Sequence, residues 1–351
     1  MHHVCLELYK TIFMRIIDFK NIGYDPQIDY IKGLCIIFVI WTHAMNRSEL
    51  GNVLFPYWGD TAVPIFIIIQ AFHYYKKDID IRMPSPITLW KRIIRPFIVM
   101  IALTFIVQFF IYYDITDGVF SPTLYWDKRG YGSYYIFMYL EFAFLIPLFS
   151  LLFKRLSVKW AFLFFVVLSQ LLEYISCTIH CPDNIYRILF FRYTFLIFIG
   201  YLLATKRLVL NKFTLCWGII GIISLYLFNY TNIDLEPFFY TSLSNWKYCH
   251  WICYLYIAYI FLWFLQYSYT NFRLNVIRKY LVLIGKNSYE IYLFQMFYYA
   301  TIGLYVKDLD MVSRNEIYPI NRILYVVITT VICVVTVILL KKLVHKIVKR
   351  I

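Results

Sequence analysis

No charged residue interrupts the eighteen positions from 323 to 340. Wound into a helix at about 1.5 Å per residue, that run is nearly as long as a bilayer's hydrocarbon core is thick. One such run would fit inside a large soluble domain, but here similar runs recur along the whole chain. They lie near 28–46, 56–74, 96–113, 132–153, 160–177, 186–204, 213–230, 250–268, 281–303 and 322–341. Each falls in the range of about 17–25 residues that a spanning helix needs. Only 15% of the 351 residues are charged and 62% are hydrophobic, against about 25% charged in a soluble domain. An aqueous core cannot hide that much apolar surface. The fold class expected is all-α: a polytopic membrane helix bundle of about ten transmembrane helices with no sizeable soluble domain.

Basic residues orient the bundle. The net charge of +14 would suggest nucleic acid in a soluble chain. Here the enrichment of Lys and Arg in cytoplasmic loops explains it, and no nucleic-acid partner is expected. With the N-terminus inside, every inner segment carries at least three basic residues, from Lys10, Arg15 and Lys20 to the tail beginning at Lys341. An even number of spans puts both termini in the cytoplasm. The expected division is a segment 1–23, a transmembrane domain 24–342 and a basic tail 343–351. The opening residues have no clean signal-peptide cleavage site, and Met14 offers an alternative start.

The first span reads "IDYIKGLCIIFVIWTHAM" and holds three titratable residues that an apolar segment does not need. On a helix turning about 100° per residue, Lys32 lies about 60° from Asp29, and His43 about 40° away on the same side. One narrow face carries all three. Lys32 and His43 are roughly 16 Å apart along the axis, with Lys32 toward the cytoplasm and His43 in the outer half. Two readings stand side by side. Asp29 and Lys32 suit an i,i+3 ion pair at a helix start, with His43 a satisfied interior histidine. Equally, ionisable groups inside a span usually face a cavity. The stripe would then line a site reached from the cytoplasm, with His43 handling protons because histidine titrates near neutrality.

Other residues bear chemistry. Arg92 and Arg95 are i,i+3 neighbours at the inner face if the helix extends back past Pro96. Their guanidinium forks suit phosphate oxygens, and basic residues there also anchor lipid headgroups. Arg192, Glu141 and Glu290 fall within spans, where lone charges are costly and partners are expected; Arg192 with Glu141 is one candidate pair. Ser288 and Tyr289 open the ninth-span motif, where helix–helix hydrogen bonding is the common role. Trp41 and Trp58 suit the membrane interface. "CTIHC" (177–181) and "CHWIC" (249–253) both fall at the outer face. A zinc site, a disulfide and plain cysteines all fit them, and no metal is expected.

The first helix, with Asp29-x-x-Lys32-Gly33 and His43 eleven residues after the lysine, resembles that of the acyltransferase 3 family of integral membrane acyltransferases. Arginine is commoner there where Lys32 stands. Later stretches resemble the family in the same order: "VPIFIIIQAF" (63–72), "KRIIRPF" (91–97), "SYYIFMYLEFAFLIPLF" (133–149), "FRYTFLIFIGYLLA" (191–204) and "IGKNSYEIYLFQM" (284–296). Gln70-Ala71 stands where the second motif often has Ser-Gly, and Gln295 where the last often continues to His. The resemblance covers roughly residues 24–342. It implies an O-acyltransferase that moves an acyl group, often acetyl, from an acyl-CoA to a hydroxyl of a cell-surface polysaccharide or lipid-linked sugar. The type is the stand-alone one found among exopolysaccharide, capsule and O-antigen modifying proteins, in a bacterial-type plasma (inner) membrane.

On that implication, His43, Asp29 and Lys32 are the catalytic residues, and Arg92 and Arg95 with Lys32 hold acetyl-CoA or another acyl-CoA. Arg192, Glu141, Ser288 and Tyr289 are the candidates for binding the glycan. His43 serves either as the base that takes the hydroxyl proton or as an acyl-imidazole carrier. The rival reading is a polysaccharide exporter or transporter without acyl transfer, which a polar intramembrane stripe also suits.

Overall fold

A computed structural model describes residues 25–45, 54–77, 83–112, 132–231, 249–271, 275–302 and 319–348. The expected N-terminal segment 1–23 and the end of the basic tail lie outside these residues. Among the described residues every regular element is helical. In chain order, α1 spans Pro26–Ala44. Two 3-10 turns, Phe55–Tyr57 and Gly59–Thr61, lead into α2, Ala62–Lys77. α3, Pro86–Leu89, passes through a π turn, Trp90–Ile94, into α4, Arg95–Tyr112. α5 spans Tyr134–Arg155, α6 Val158–Thr178 and α7 Asp183–Ile188. A 3-10 turn, Phe190–Tyr193, precedes α8, Phe195–Ala204; α9 is Lys212–Tyr230 and α10 is Tyr254–Asn271. Finally come α11, Asn275–Lys286, α12, Ser288–Ala300, and α13, Pro319–Val348.

The helices have local causes. α9 starts on a capping box: the Asn211 side chain accepts from the Thr214 N–H, and the Thr214 hydroxyl accepts from the Asn211 N–H. Both donors would otherwise be orphaned in the first turn. The π turn before α4 follows from Pro96. Proline has no N–H for the Arg92 carbonyl and its ring crowds that carbonyl. The helix widens instead of ending, and the Arg95 N–H reaches back five residues to the Trp90 carbonyl.

Five helical stretches are long and apolar enough to cross a membrane: Pro86–Phe110, Tyr134–Arg155, Val158–Thr178, Lys212–Tyr230 and Ile323–Leu343. Phe190–Ala204 and Tyr254–Gln266 are shorter apolar helical segments. Together they make the chain a multi-pass membrane protein. Their outward faces agree: Phe110 is 73% exposed and Ile323 65%, which only an apolar solvent tolerates over so many side chains.

Three expected spans are not single helices. The second begins in the two 3-10 turns before α2, with Trp58 outside helical geometry between them. The sixth is broken before α8, where Leu189 is extended and Arg192 sits in the 3-10 turn. The ninth is broken at Asn287, which leaves helical geometry. The Asn287 amide donates to the Leu283 carbonyl at 2.7 Å, and its oxygen accepts from Lys341 at 2.9 Å. A side chain that satisfies the end of one helix lets the chain turn into the next.

The chain divides into two compact units. One comprises 1–28, 63–83 and 141–278. Its centre is α8, buried at every position from Phe195 to Leu203, as expected of a helix apolar on all sides. Phe153 stacks on Tyr201 with centroids 3.9 Å apart. The other unit comprises 29–62, 84–140 and 279–351. Within it, α12 packs against α4 and α13.

Candidate functional site

The second unit holds Asp29, Lys32, His43, Arg92, Arg95, Ser288 and Tyr289. At the start of α1 the Lys32 ammonium lies 2.6 Å from the Asp29 carboxylate. This is the i,i+3 pair that the spacing allowed. Asp29 is buried in the first turn, where the helix dipole favours a negative charge. Two glycines bring α11 onto the backbone at this point. A Cβ on Gly33 would collide with the Leu281 carbonyl, and one on Gly285 with the Asp29 carbonyl. α1 and α11 therefore touch backbone to backbone, as membrane helices do at small residues.

Beyond the break at Asn287, α12 carries three side chains on one face, at i, i+3 and i+7: Tyr292, Gln295 and Tyr299. All three serve His43, in the last turn of α1. The Gln295 Oε1 lies 2.8 Å from His43 Nδ1, and Gln295 is wholly buried. The Tyr299 ring meets the imidazole edge-on at 6.0 Å, and its hydroxyl donates to the Ile40 carbonyl at 2.9 Å. The Cε1–Nε2 edge of the ring faces Gly132, whose φ of +91° is natural only for glycine. A Cβ there would stand 3.1 Å from His43 Cε1 and 3.6 Å from Nε2. The Tyr292 hydroxyl fixes that backbone by donating to the Gly132 carbonyl at 2.6 Å.

The same helix reaches the arginines. Arg92 lies in the π turn and Arg95 opens α4, so the helix does extend back past Pro96. Both side chains are exposed. The Tyr289 hydroxyl donates to the Ile93 carbonyl at 2.6 Å, tying α12 to the π turn. That is a helix–helix hydrogen bond, and Ser288 precedes it as the first residue of α12. Glu290 is not buried as its place in a span implied. Its side chain is 41% exposed and pairs with Lys341 at 2.5 Å. One helix, α12, thus holds the imidazole at one place and the cationic turn at another, the two separated by about 9 Å of helix rise.

Arg192 and Glu141 belong to the other unit. Among the described residues no ion pair joins them, which corrects the expected pairing. Arg192 stands in the 3-10 turn with its guanidinium over the Tyr193 ring at 4.5 Å, and its carbonyl accepts from the Tyr254 hydroxyl at 2.7 Å. The Glu141 Oε2 is buried without a hydrogen-bond partner among the described residues.

This unit also contains a polar cluster that the sequence did not single out. His250 Nε2 lies 2.9 Å from Gln170 Nε2 and 3.7 Å from Glu173 Oε2. His250 therefore faces an amide and a carboxylate rather than a metal set. Cys177, Cys181, Cys249 and Cys253 are unbridged, and among the described residues no group of three His, Cys, Asp or Glu is placed to hold a metal.

Gln295, Tyr292, Tyr299 and Gly132 are the site residues that sequence reasoning missed. The i, i+3, i+7 spacing on α12 was a usable signal for the first three. Gly132 had none, because its contact with His43 is tertiary.

The acyltransferase 3 family model, an acyltransferase domain, matches residues 25–341. Neither a curated protein nor a solved structure matches the chain.

Proposed function

Because the chain belongs to the acyltransferase 3 family, we propose that it is a membrane O-acyltransferase whose donor is acetyl-CoA or another acyl-CoA. Its acceptor is a hydroxyl of a cell-surface polysaccharide or lipid-linked sugar, in a bacterial-type plasma membrane with both termini cytoplasmic. The observation that carries this reading is that α12 ties the exposed Arg92–Arg95 turn and the His43 imidazole into one unit. A donor with phosphates at one end and a thioester at the other needs that pairing.

Each residue then has a task. Arg92 and Arg95 grip the phosphates of the donor, a role for which guanidinium forks are suited. Lys32, neutralised in part by Asp29, lines the path along α1, and the pantetheine arm covers the roughly 16 Å from Lys32 to His43. At His43 the acceptor hydroxyl gives its proton to Nε2 as the oxygen bonds to the thioester carbonyl carbon. The C–S bond breaks, and the imidazolium returns the proton to the departing sulfur. General acid–base help of this kind is worth about 10²–10⁴-fold. Tyr289 is assigned to holding the cationic turn.

The test uses membranes from cells making the wild-type chain or His43→Ala, supplied with radiolabelled acetyl-CoA. Label should enter glycan with the wild type. The variant should stay in the membrane and lose transfer by at least about 10²-fold. Normal glycan acylation by His43→Ala would sink the mechanism.

A further inference from the structure

Gln295 is wholly buried beside the imidazole and makes a short contact to one ring nitrogen, yet nothing in acyl transfer calls for an amide there. A neutral imidazole carries one N–H and one lone pair, and its partners choose which nitrogen holds which. The Oε1 of Gln295, 2.8 Å from Nδ1, only accepts. The proton is therefore drawn to Nδ1, and the lone pair is left on Nε2. Tyr299 supports this arrangement because its hydroxyl is committed to the Ile40 carbonyl and its ring flanks the imidazole. Gly132 brings backbone to the Cε1–Nε2 edge, where a side chain would crowd the imidazole.

We infer that Gln295 is a positioning residue for His43: by accepting the Nδ1 hydrogen it sets the tautomer whose Nε2 lone pair receives the acceptor's proton. This rests on the reading of His43 as the base. An amide does the job that a carboxylate does in other base–orienter pairs, with one difference. Gln295 adds no formal charge, so it orients the ring while stabilising the imidazolium less than a carboxylate would. The proton taken up at Nε2 is correspondingly easy to return to the sulfur. In the base–orienter pair of serine proteases, an orienter that favours the wrong tautomer costs about 10⁴-fold, a known case in which the partner is charged. For a neutral orienter the expected loss is smaller.

The experiment uses the full chain, purified and reconstituted, labelled with ¹⁵N-histidine. His43 is identified by the signal missing from His43→Ala. In the wild type, the ¹⁵N shifts of His43 should report an N–H on Nδ1 and a bare Nε2. Gln295→Met keeps the volume and removes the acceptor oxygen. Its His43 should lose the Nδ1–H preference, kcat should fall about 10–10²-fold, and KM for acetyl-CoA should hold within about twofold. Gln295→Glu restores an acceptor and should bring the Nδ1–H tautomer back. Gln295→Leu gives a second loss variant, should the methionine protein fail to fold.

An unchanged His43 tautomer in the folded loss variants overturns the inference, whatever the activity. A changed tautomer with unchanged kcat also overturns it, because the orientation would then be idle. If the tautomer shifts as expected while the wild type transfers no acyl group, the orientation by Gln295 stands and the proposed reaction falls.

Discussion

A methyl group at Gly33 or Gly285 has nowhere to go. Each would strike a backbone carbonyl of the facing helix, and backbone cannot swing aside as the end of a side chain can. Gly285→Ala should therefore force α1 and α11 apart. A stability loss of about 1–3 kcal/mol is the expectation for overpacking, read as a lowered Tm in detergent. Transfer should fall as well, since the chain that continues past Gly285 brings Gln295 to His43. An alanine variant with unchanged Tm and activity would show that the helices are not this close. The residue scale divides sharply in legibility. Asp29, Lys32 and His43 share a face by helix period alone, so their alignment was readable. That Asp29 and Lys32 pair at 2.6 Å was one of two readings the spacing permitted. Gly33 and Gly285 stood inside recognisable motifs, but what each glycine avoids belongs to another helix, and no local pattern reports it.

At the scale of elements, the π turn before α4 and the break before α12 matter most. Pro96→Ala restores the missing N–H, and the π turn should relax to α-helix, turning Arg92 by about 100° relative to α4. The expected outcome is a KM for acetyl-CoA raised about tenfold, equivalent to about 1.4 kcal/mol, with kcat unchanged. A fall in kcat at constant KM would place the arginine turn outside donor binding. Apolar length located the helices, because a bilayer imposes a minimum run on any span. The breaks before α8 and at Asn287 were not legible. Asn287 ends α11 through its own bond to the Leu283 carbonyl and with the help of Lys341, 54 positions further along the chain, so part of what holds the boundary is not local.

At the scale of the whole molecule, the second unit ties together groups that the charge pattern had placed on one side of the membrane. Lys341 pairs with Glu290 and Asn287, Tyr289 bonds the turn that carries Arg92, and Gly285 rests on Asp29. The proposed cytoplasmic termini give this a direct check. A fluorescent protein fused after Ile351 should fluoresce, and alkaline phosphatase fused at the same point should be inactive; the reverse pair of results would invert the orientation.

The sequence by itself determined the membrane setting, the helical class and the acyltransferase family, because burial of apolar surface and short motif spacing are local properties. It also determined the face on which His43 lies. Only the tertiary structure decided what holds His43. Gln295 is 252 positions away in sequence, and it becomes the imidazole's partner because α12 is brought against α1. Hydrogen bonds of that separation exist only once helices have packed, and packing is where the site acquires its geometry.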